Sequence, residues 1–191
     1  MKNKKRIIVA ITGASGSIYA HNILKKLILL KDDIEEIALI VSETGEQVWH
    51  YEMEEDFPES ELIKRYNNLT YFAPTASGSA GYDAMVIIPC TAGTLGRIAN
   101  GTSNELISRS ADVMLKERKT LILTLRESPY NLIHIENMQK VTLAGGIIFP
   151  ASPSFYSKPK DINALIDTVT DRILDLLGFA NTGFRWGEDS R

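Results

Sequence analysis

A strand-like run that ends in a turn of small residues constrains the fold of this chain more than any other feature. The apolar run is Ile7–Ile11, and the turn that follows directly, Thr12–Ser17, has the sequence TGASGS. Beyond the turn, apolar residues such as Ile18, Leu24 and Leu27 recur at helical spacing. This order predicts a buried strand, a tight turn and a helix. Backbone N–H groups and the positive end of that helix would then face the space above the turn, a position that suits a phosphate or the edge of a flavin ring.

The turn differs from the familiar phosphate-binding patterns. Ser15 stands where the dinucleotide pattern G-x-G-x-x-G has its second glycine, and no Gly-Lys-Ser/Thr follows as in a P-loop. Taken alone, the turn therefore leaves two interpretations open. Its small residues either bind a ligand or let the helix and the strand pack closely.

Four further apolar runs follow the first, and helical patterns lie between them. Several runs lack alternation of apolar and polar residues, which is typical of strands buried on both faces of a parallel sheet. The predicted strands are 6–12, 37–42, 84–89, 120–125 and 146–150, and the predicted helices are 17–30, 43–53, 105–116, 131–140 and 161–177. The alternation predicts an α/β fold with a three-layer, doubly wound, flavodoxin- or Rossmann-like parallel sheet. We expect a single domain over 1–191, with its core at about 6–178 and a tail at 179–191.

Composition excludes several classes of protein. A net charge of −3 gives no basic surface for nucleic acid. One cysteine excludes an internal disulfide and the usual cysteine zinc sites, and the three histidines do not fall at metal-ligand spacing, so no metal is predicted. Asp167, Asp171 and Asp175 are spaced as on a solvated helix face. No stretch approaches the ~20 apolar residues of a membrane span, and the first apolar run is too short for a signal peptide, so we expect a cytoplasmic protein.

Small polar residues follow all five predicted strands. Ligands of open α/β sheets bind at the carboxyl ends of the strands, where these connections would gather. Each connection alone is ordinary turn chemistry. Their convergence favours a cofactor site, and hydroxyls, backbone amides and one arginine suit a phosphate monoester. The connections are 13–17, 42–45, 89–94, 126–129 and 150–156.

Beyond this pattern, the sequence resembles the flavin prenyltransferases of the UbiX/Pad family, within the flavodoxin-like homo-oligomeric flavin-containing cysteine decarboxylases. The similarity extends in unbroken order from about residue 6 to residue 178, although 100–104 matches loosely and 52–72 hardly at all. The matching strings are TGASG at 12–16, ASGS at 76–79, AMVIIPC at 84–90, SRSADVMLKER at 108–118, RESP at 126–129, HIENM at 134–138 and PSFY at 153–156.

The resemblance implies a metal-independent reaction. Reduced FMN is joined at N5 and C6 to the dimethylallyl group of dimethylallyl phosphate, and the product, prenylated FMN, serves a separate UbiD-type decarboxylase. It also implies a homo-oligomer, commonly a dodecamer, with sites shared between subunits. The tail, with Arg185-Trp186, would then contact a neighbouring subunit.

The resemblance also implies which residues form the site. For the cofactor, it points to Gly13, Ala14 and Ser15 at the flavin ring, Ser42 at the ribityl chain, and Thr91, Ala92, Gly93, Thr94 and Arg109 at the 5′-phosphate end. For the prenyl phosphate, it points to Lys116, Arg126, Tyr156 and Arg172. The implied catalytic residues are Ser15, Glu52, Glu127, Lys116 and Tyr156.

Two alternatives stay open. The first is an FMN-dependent cysteine decarboxylase of the same fold. That branch relies on a catalytic histidine and a Pro-Ala-Ser-Ala-Asn motif, whereas here Gly93 stands at the asparagine position and His134 is expected to be a packed or capping residue. The second is a non-catalytic FMN-binding subunit of a decarboxylase. It is distinguished by whether Glu127, Lys116 and Tyr156 matter to turnover.

Overall fold

The computed structural model describes residues 4–187. Strands and helices alternate through this part of the chain, and two short 3₁₀ turns, Pro74–Ala76 and Gly78–Ala80, precede the fourth strand. The elements are β1 (Lys5–Ile11), α1 (Ser17–Leu29), β2 (Ile34–Val41), α2 (Glu43–Glu52), β3 (Ile63–Asn67), β4 (Ala84–Cys90), α3 (Ala92–Ala99), α4 (Leu106–Lys116), β5 (Thr120–Leu125), α5 (Leu132–Leu143), β6 (Ile147–Pro150) and α6 (Ile162–Leu176).

The strands form one parallel sheet in the order β3-β2-β1-β4-β5-β6. The direction of winding reverses between β1 and β4, which is the topological switch point where open α/β sheets bind ligands. The predicted fold class is thereby confirmed. The turn after β1 and the connection after β4 meet at this switch point.

Each face of the sheet has its own apolar core. On β1, Ile7, Val9 and Ile11 pack with α1, α6 and Trp49 of α2, while Ile8 and Ala10 pack with residues of α3, α4 and α5. All five of these β1 side chains are fully buried. The absence of alternation in the sequence of β1 follows from this burial on both faces.

Two elements escaped the sequence prediction. β3 has the sequence IKRYN and lies at the edge of the sheet with no residue fully buried, so no apolar run marks it. α3 begins in what was predicted as a connection, because its sequence AGTLGRIA contains two glycines, which disfavour helix. Its apolar Leu95 and Ile98 pack against the sheet and stabilise it regardless.

The start of α4 also differs from expectation. The predicted helix 105–116 begins after Glu105, and the Glu105 side chain makes no capping bond. Instead Asn68, which follows β3, accepts a hydrogen bond from the Ile107 N–H at 3.0 Å. A side chain distant in sequence thus satisfies this helix end, and the local pattern could not indicate it.

A buried carboxylate on β2 bonds to side chains of β1, of β3 and of the segment before β4. The Glu36 side chain on β2 is 6% exposed and accepts hydrogen bonds from Tyr82 at 2.5 Å, Lys64 at 2.9 Å and Tyr66 at 3.1 Å. Arg6 forms an ion pair with it at 3.3 Å. Burial alone would raise the pKa of Glu36, but the hydrogen bonds from Tyr82 and Lys64 and the charge of Arg6 outweigh burial and lower the pKa.

No helix within residues 4–187 is long and apolar enough to cross a bilayer.

Replacing Glu36 by Gln should lower the free energy of unfolding by about 3 kcal/mol at pH 7, because Arg6 loses a buried counterion. The pKa of Glu36 is lower in the folded state than in the unfolded state. Its contribution is therefore complete above the unfolded pKa and disappears as the pH falls through the folded pKa. Urea unfolding from pH 7 down to about pH 2.5 measures both effects. Glu35→Gln, at an exposed position of the same strand, is the control; equal losses in the two variants would contradict the assignment.

Candidate active site at the carboxyl edge of the sheet

The Thr12 hydroxyl joins the ends of the two strands at the switch point. Thr12 is 3% exposed, and its Oγ1 donates to the Pro89 carbonyl at 2.8 Å and accepts from the Thr91 N–H at 2.9 Å. This bonding fixes the turn after β1 relative to the first residue after β4. Thr12 belongs to the TGASG string, although no role for it is predicted from the sequence.

A cleft of about 180 Å³ opens above this junction. Its lining includes four of the residues predicted to bind the cofactor, Gly13, Ser42, Thr91 and Thr94, together with the unpredicted Thr44. With Thr12, five hydroxyl-bearing residues and a glycine backbone thus surround one small space. These groups suit the oxygen atoms of a phosphate ester.

Two helices begin at the cleft. Ser42 caps α2 by accepting from the Gly45 N–H at 3.0 Å, and Thr91 caps α3 by accepting from the Thr94 N–H at 3.0 Å. The positive ends of both helix dipoles therefore face the same space, which favours an anion there. Ala92 and Gly93, also predicted for the cofactor, form the first turn of α3.

The glycine of the turn has a steric reason. A Cβ placed on Gly13 would lie 2.6 Å from Thr44 Oγ1, so a larger residue would push the turn away from the start of α2. Gly13 both lines the cleft and allows this close approach. The two interpretations of the turn, cleft lining and close packing, thus apply to the same residue.

Glu52 reaches the turn from the far end of α2. Its carboxylate accepts from the Gly16 N–H at 2.9 Å and from the Ser17 N–H at 2.8 Å. Gly16 has φ 118° and provides no side-chain cap for α1, so Glu52 supplies that cap. Partial burial would raise the pKa of Glu52, but hydrogen bonds from the Ser15 hydroxyl and these two amides lower it. The structure therefore brings the predicted pair Ser15 and Glu52 together, with Glu52 ionised at neutral pH.

Arg126 and Glu127 lie at the same edge of the sheet, directly after β5. The Arg126 N–H donates to the Cys90 carbonyl at 3.0 Å, which places it beside the connection that begins α3. The Arg126 side chain is exposed, and the Glu127 carboxylate accepts from the Ser128 N–H at 3.1 Å. The backbone of Arg126 is thus held beside the end of β4, whereas neither side chain lines the cleft described above.

Tyr156 and Arg172 share a second, more open cleft. The Tyr156 ring packs edge-on against Trp186 with 5.0 Å between centroids, and Arg172 and Arg185 both pair with Asp175, at 3.4 and 2.8 Å. The described part of the tail, 179–187, thus folds against α6 of its own chain. The predicted contact of the tail with a neighbour stays a prediction, and residues 188–191 lie outside the described part.

Lys116 and Arg109 lie apart from both clefts. Lys116 ends α4 and pairs with Glu117 at 2.6 Å, beside the 3₁₀ turn Gly78–Ala80 at the opposite edge of the sheet. Arg109 donates to the Ala76 carbonyl at 3.1 Å and to Asp112 at 2.8 Å. Within one chain, neither cation joins the other predicted site residues.

Three further observations concern residues singled out by sequence. His134 completes a capping box with Asn131 at the start of α5, as expected. The aspartates of α6 do not form a solvated face, because Lys26 of α1 pairs with Asp167 and Asp171. Among residues 4–187, no three His, Cys, Asp or Glu side chains gather as a metal site requires.

The chain is similar to known proteins over most of its length. The family model described as Flavoprotein matches residues 1–174. Flavin prenyltransferase UbiX of Methanocaldococcus jannaschii is 46% identical over 185 residues, covering 95% of this chain and 98% of that protein. The structure of AnUbiX (PadA1) in complex with FMN and dimethylallyl pyrophosphate superposes with a TM-score of 0.85 at 37% identity, covering 96% of this chain and 100% of that one. A dodecameric FMN-dependent UbiX-like decarboxylase from Escherichia coli O157:H7 gives a TM-score of 0.87 at 32% identity, with 95% and 98% covered.

Replacing Glu52 by Gln should loosen the start of α1, because the first amides lose a charged cap. We expect a loss of about 0.5–1 kcal/mol, limited by solvent screening at this exposed residue. Hydrogen–deuterium exchange should become faster in peptides that cover residues 12–20. Glu54→Gln, an exposed neighbour, should leave that exchange unchanged, and equal exchange in the two variants would refute the capping role.

Proposed function

This chain belongs to the UbiX family of flavin prenyltransferases, and we propose that it joins the dimethylallyl group of dimethylallyl phosphate to reduced FMN. One observation carries the proposal beyond family membership. The structure brings the hydroxyls of Ser42, Thr91 and Thr94, the turn at Gly13 and the starts of two helices to one cleft at the switch point.

These groups fit FMN. Two helix N-termini and several hydroxyls would hold its 5′-phosphate, and the turn of Gly13, Ala14 and Ser15 would line its ring. When bound in its reduced form, FMN supplies the N5 and C6 atoms that form bonds to the five-carbon group. Ser15 lies in the same turn, with its hydroxyl bonded to Glu52.

Departure of phosphate from the prenyl donor requires positive charge where the leaving oxygen becomes negative. Arg126 lies at the correct edge of the sheet, and Tyr156 and Arg172 face a common cleft. An arginine can hold two phosphate oxygens at once, and a tyrosine adds one donor. We assign these three residues to the prenyl phosphate.

The two carboxylates predicted to be catalytic, Glu52 and Glu127, have different surroundings. Glu52 has a lowered pKa, so at neutral pH it accepts hydrogen bonds and holds Ser15 rather than supplying a proton. Glu127 is partly buried and follows Arg126. In the described part of the chain, its carboxylate accepts a hydrogen bond from the Ser128 N–H and bonds to no side chain. We therefore assign to Glu127 the acceptance of the proton released when the ring closes.

Lys116 points to an oligomer. It lies at the edge of the sheet opposite the cleft, and α4 is about 16 Å long, so it cannot act at the cleft of its own chain. We propose that a neighbouring copy brings Lys116 and Arg109 to the site, in a homo-oligomer that is a dodecamer. Exposed apolar side chains such as Phe72 and Trp186 would then lie in contacts between copies.

We propose that the prenylated FMN passes to a UbiD-type decarboxylase and that the enzyme acts in the cytoplasm.

Anaerobic incubation with dithionite-reduced FMN and dimethylallyl phosphate tests the reaction. Mass spectrometry of the released flavin should show the gain of one five-carbon prenyl unit. Glu127→Gln should slow product formation by about 100-fold with little change in FMN affinity, whereas Glu136→Gln, an exposed control on α5, should not. Bound but unchanged FMN, with the diphosphate also tried, would refute the proposal and favour a cysteine decarboxylase or a non-catalytic FMN-binding subunit.

Mixed oligomers test the shared site. Lys116→Ala and Glu127→Gln should each abolish most activity, and co-expression of the two variants should restore it at about a quarter of the sites, because some sites then receive both intact residues from different copies. Co-expression of Glu127→Gln with wild-type-like Glu136→Gln chains calibrates the mixing. No restoration in the first pair would mean that both residues act from one chain.

A further inference from the structure

One basic side chain lines the cleft at the switch point. Among residues 4–187, Arg97 is the only lysine or arginine in its lining. It lies on α3, three residues after Thr94, and therefore on the same side of the helix as that hydroxyl. The Arg97 guanidinium donates to Thr94 Oγ1 at 3.3 Å.

The cleft that Arg97 lines carries more negative than positive side-chain charge. Glu43 and Glu105 line the same cleft, so a phosphate that enters it would meet two carboxylates. The starts of α2 and α3 offset part of this repulsion, but they carry only partial charges. Arg97 supplies the one full positive charge of this lining within residues 4–187 and offsets a further part of the repulsion.

Arg97 is also held in place with hydrogen-bonding capacity left over. Glu105 pairs with its Nη2 at 3.1 Å, and the Arg97 side chain is 37% exposed while that of Glu105 is 16% exposed. The Arg97 Nε is buried and has no hydrogen-bond partner among the described residues, 4–187. A guanidinium offers five N–H donors in a rigid plane, so donors remain for a ligand.

A second side chain fixes the partner of Arg97. Asn68, after β3, donates to Glu105 at 2.8 Å and accepts from the Ile107 N–H at 3.0 Å. Glu105 is thereby anchored to both the start of α4 and the end of β3. The result is a chain of contacts, Asn68 to Glu105 to Arg97, that orients the guanidinium at the cleft.

We propose that Arg97 binds the 5′-phosphate of FMN and that Glu105 acts as a positioning residue for it. The proposal deepens the proposed function and rests on it for the identity of the flavin. It differs from the assignment implied by resemblance, in which Arg109 serves the phosphate end. Arg109 is bonded to Ala76 and Asp112 in its own chain.

Comparison of FMN with riboflavin, which lacks the phosphate, tests the assignment. Titration of flavin fluorescence should show that Arg97→Met raises the Kd for FMN by about 10- to 100-fold and leaves that for riboflavin unchanged. Arg97→Lys should retain part of the discrimination, because it keeps the charge and loses the planar fork. Arg65→Met is the matched control, since Arg65 also pairs with a glutamate, Glu46, at 2.9 Å.

Glu105→Gln separates binding from folding. If Arg97 binds phosphate and Glu105 positions it, this variant should lower the preference for FMN over riboflavin, but by less than Arg97→Met does, because the charge of Arg97 remains while its anchor is lost. If the pair serves only to hold α3 against α4, Arg97→Met and Glu105→Gln should both lower the melting temperature and leave the ratio of the two Kd values as in the wild type. That result would overturn the proposal.

Two other results would also decide. Equal weakening of FMN and riboflavin by Arg97→Met would show that Arg97 does not contact the phosphate. A loss of discrimination in Arg109→Met but not in Arg97→Met would assign the phosphate to Arg109 of a neighbouring copy. The ratio of the Kd values for FMN and riboflavin is measured without turnover. The assignment of Arg97 is therefore tested separately from the formation of prenylated flavin.

Discussion

The hydroxyl of Thr12 is the contact on which the site depends. Parallel strands in this order leave a crevice where the segments after β1 and β4 separate, and one backbone hydrogen bond, from the Thr12 N–H to the Pro89 carbonyl at 3.2 Å, joins the two segments there. The Thr12 hydroxyl bonds to the carbonyl and to the amide that flank Cys90, and so closes the crevice from one side. The turn at Gly13, the cap at Thr91 and the guanidinium of Arg97 take their relative positions from that bond.

Burial explains why most of the fold could be predicted from sequence and why part could not. β1, β2, β4 and β5 are enclosed on both faces, and long apolar runs are the direct result. β3 lies at the edge, where hydrogen bonds to β2 and the contacts of Lys64 and Tyr66 with Glu36 hold it, so its sequence carries no such run. α3 is held by packing of two apolar residues rather than by helix propensity.

The candidate site, like the fold, could be predicted only in part from the sequence. Residues in turns directly after strands, such as Gly13, Ser42 and Thr91, lie in one cleft. The order of predicted strands and helices indicated that these turns share the carboxyl edge of the sheet. Arg97 was missed because its position depends on α3, which had not been predicted. Lys116 shows a different limit: a motif can imply that a residue belongs to a site, but only the fold shows that the end of α4 faces away from the cleft. A site assembled from several copies leaves no trace in the order of residues along one chain.

The second helix links two parts of the site that have different tasks. α2 begins at Ser42, beside the cleft suited to phosphate, and ends at Glu52, which holds Ser15 and the start of α1. Its 10 residues span about 15 Å. The length of this helix therefore sets the distance between the cleft at Ser42 and the Ser15 hydroxyl that Glu52 holds. One residue more or less would rotate Glu52 by about 100° around the helix axis and move its carboxylate away from the start of α1.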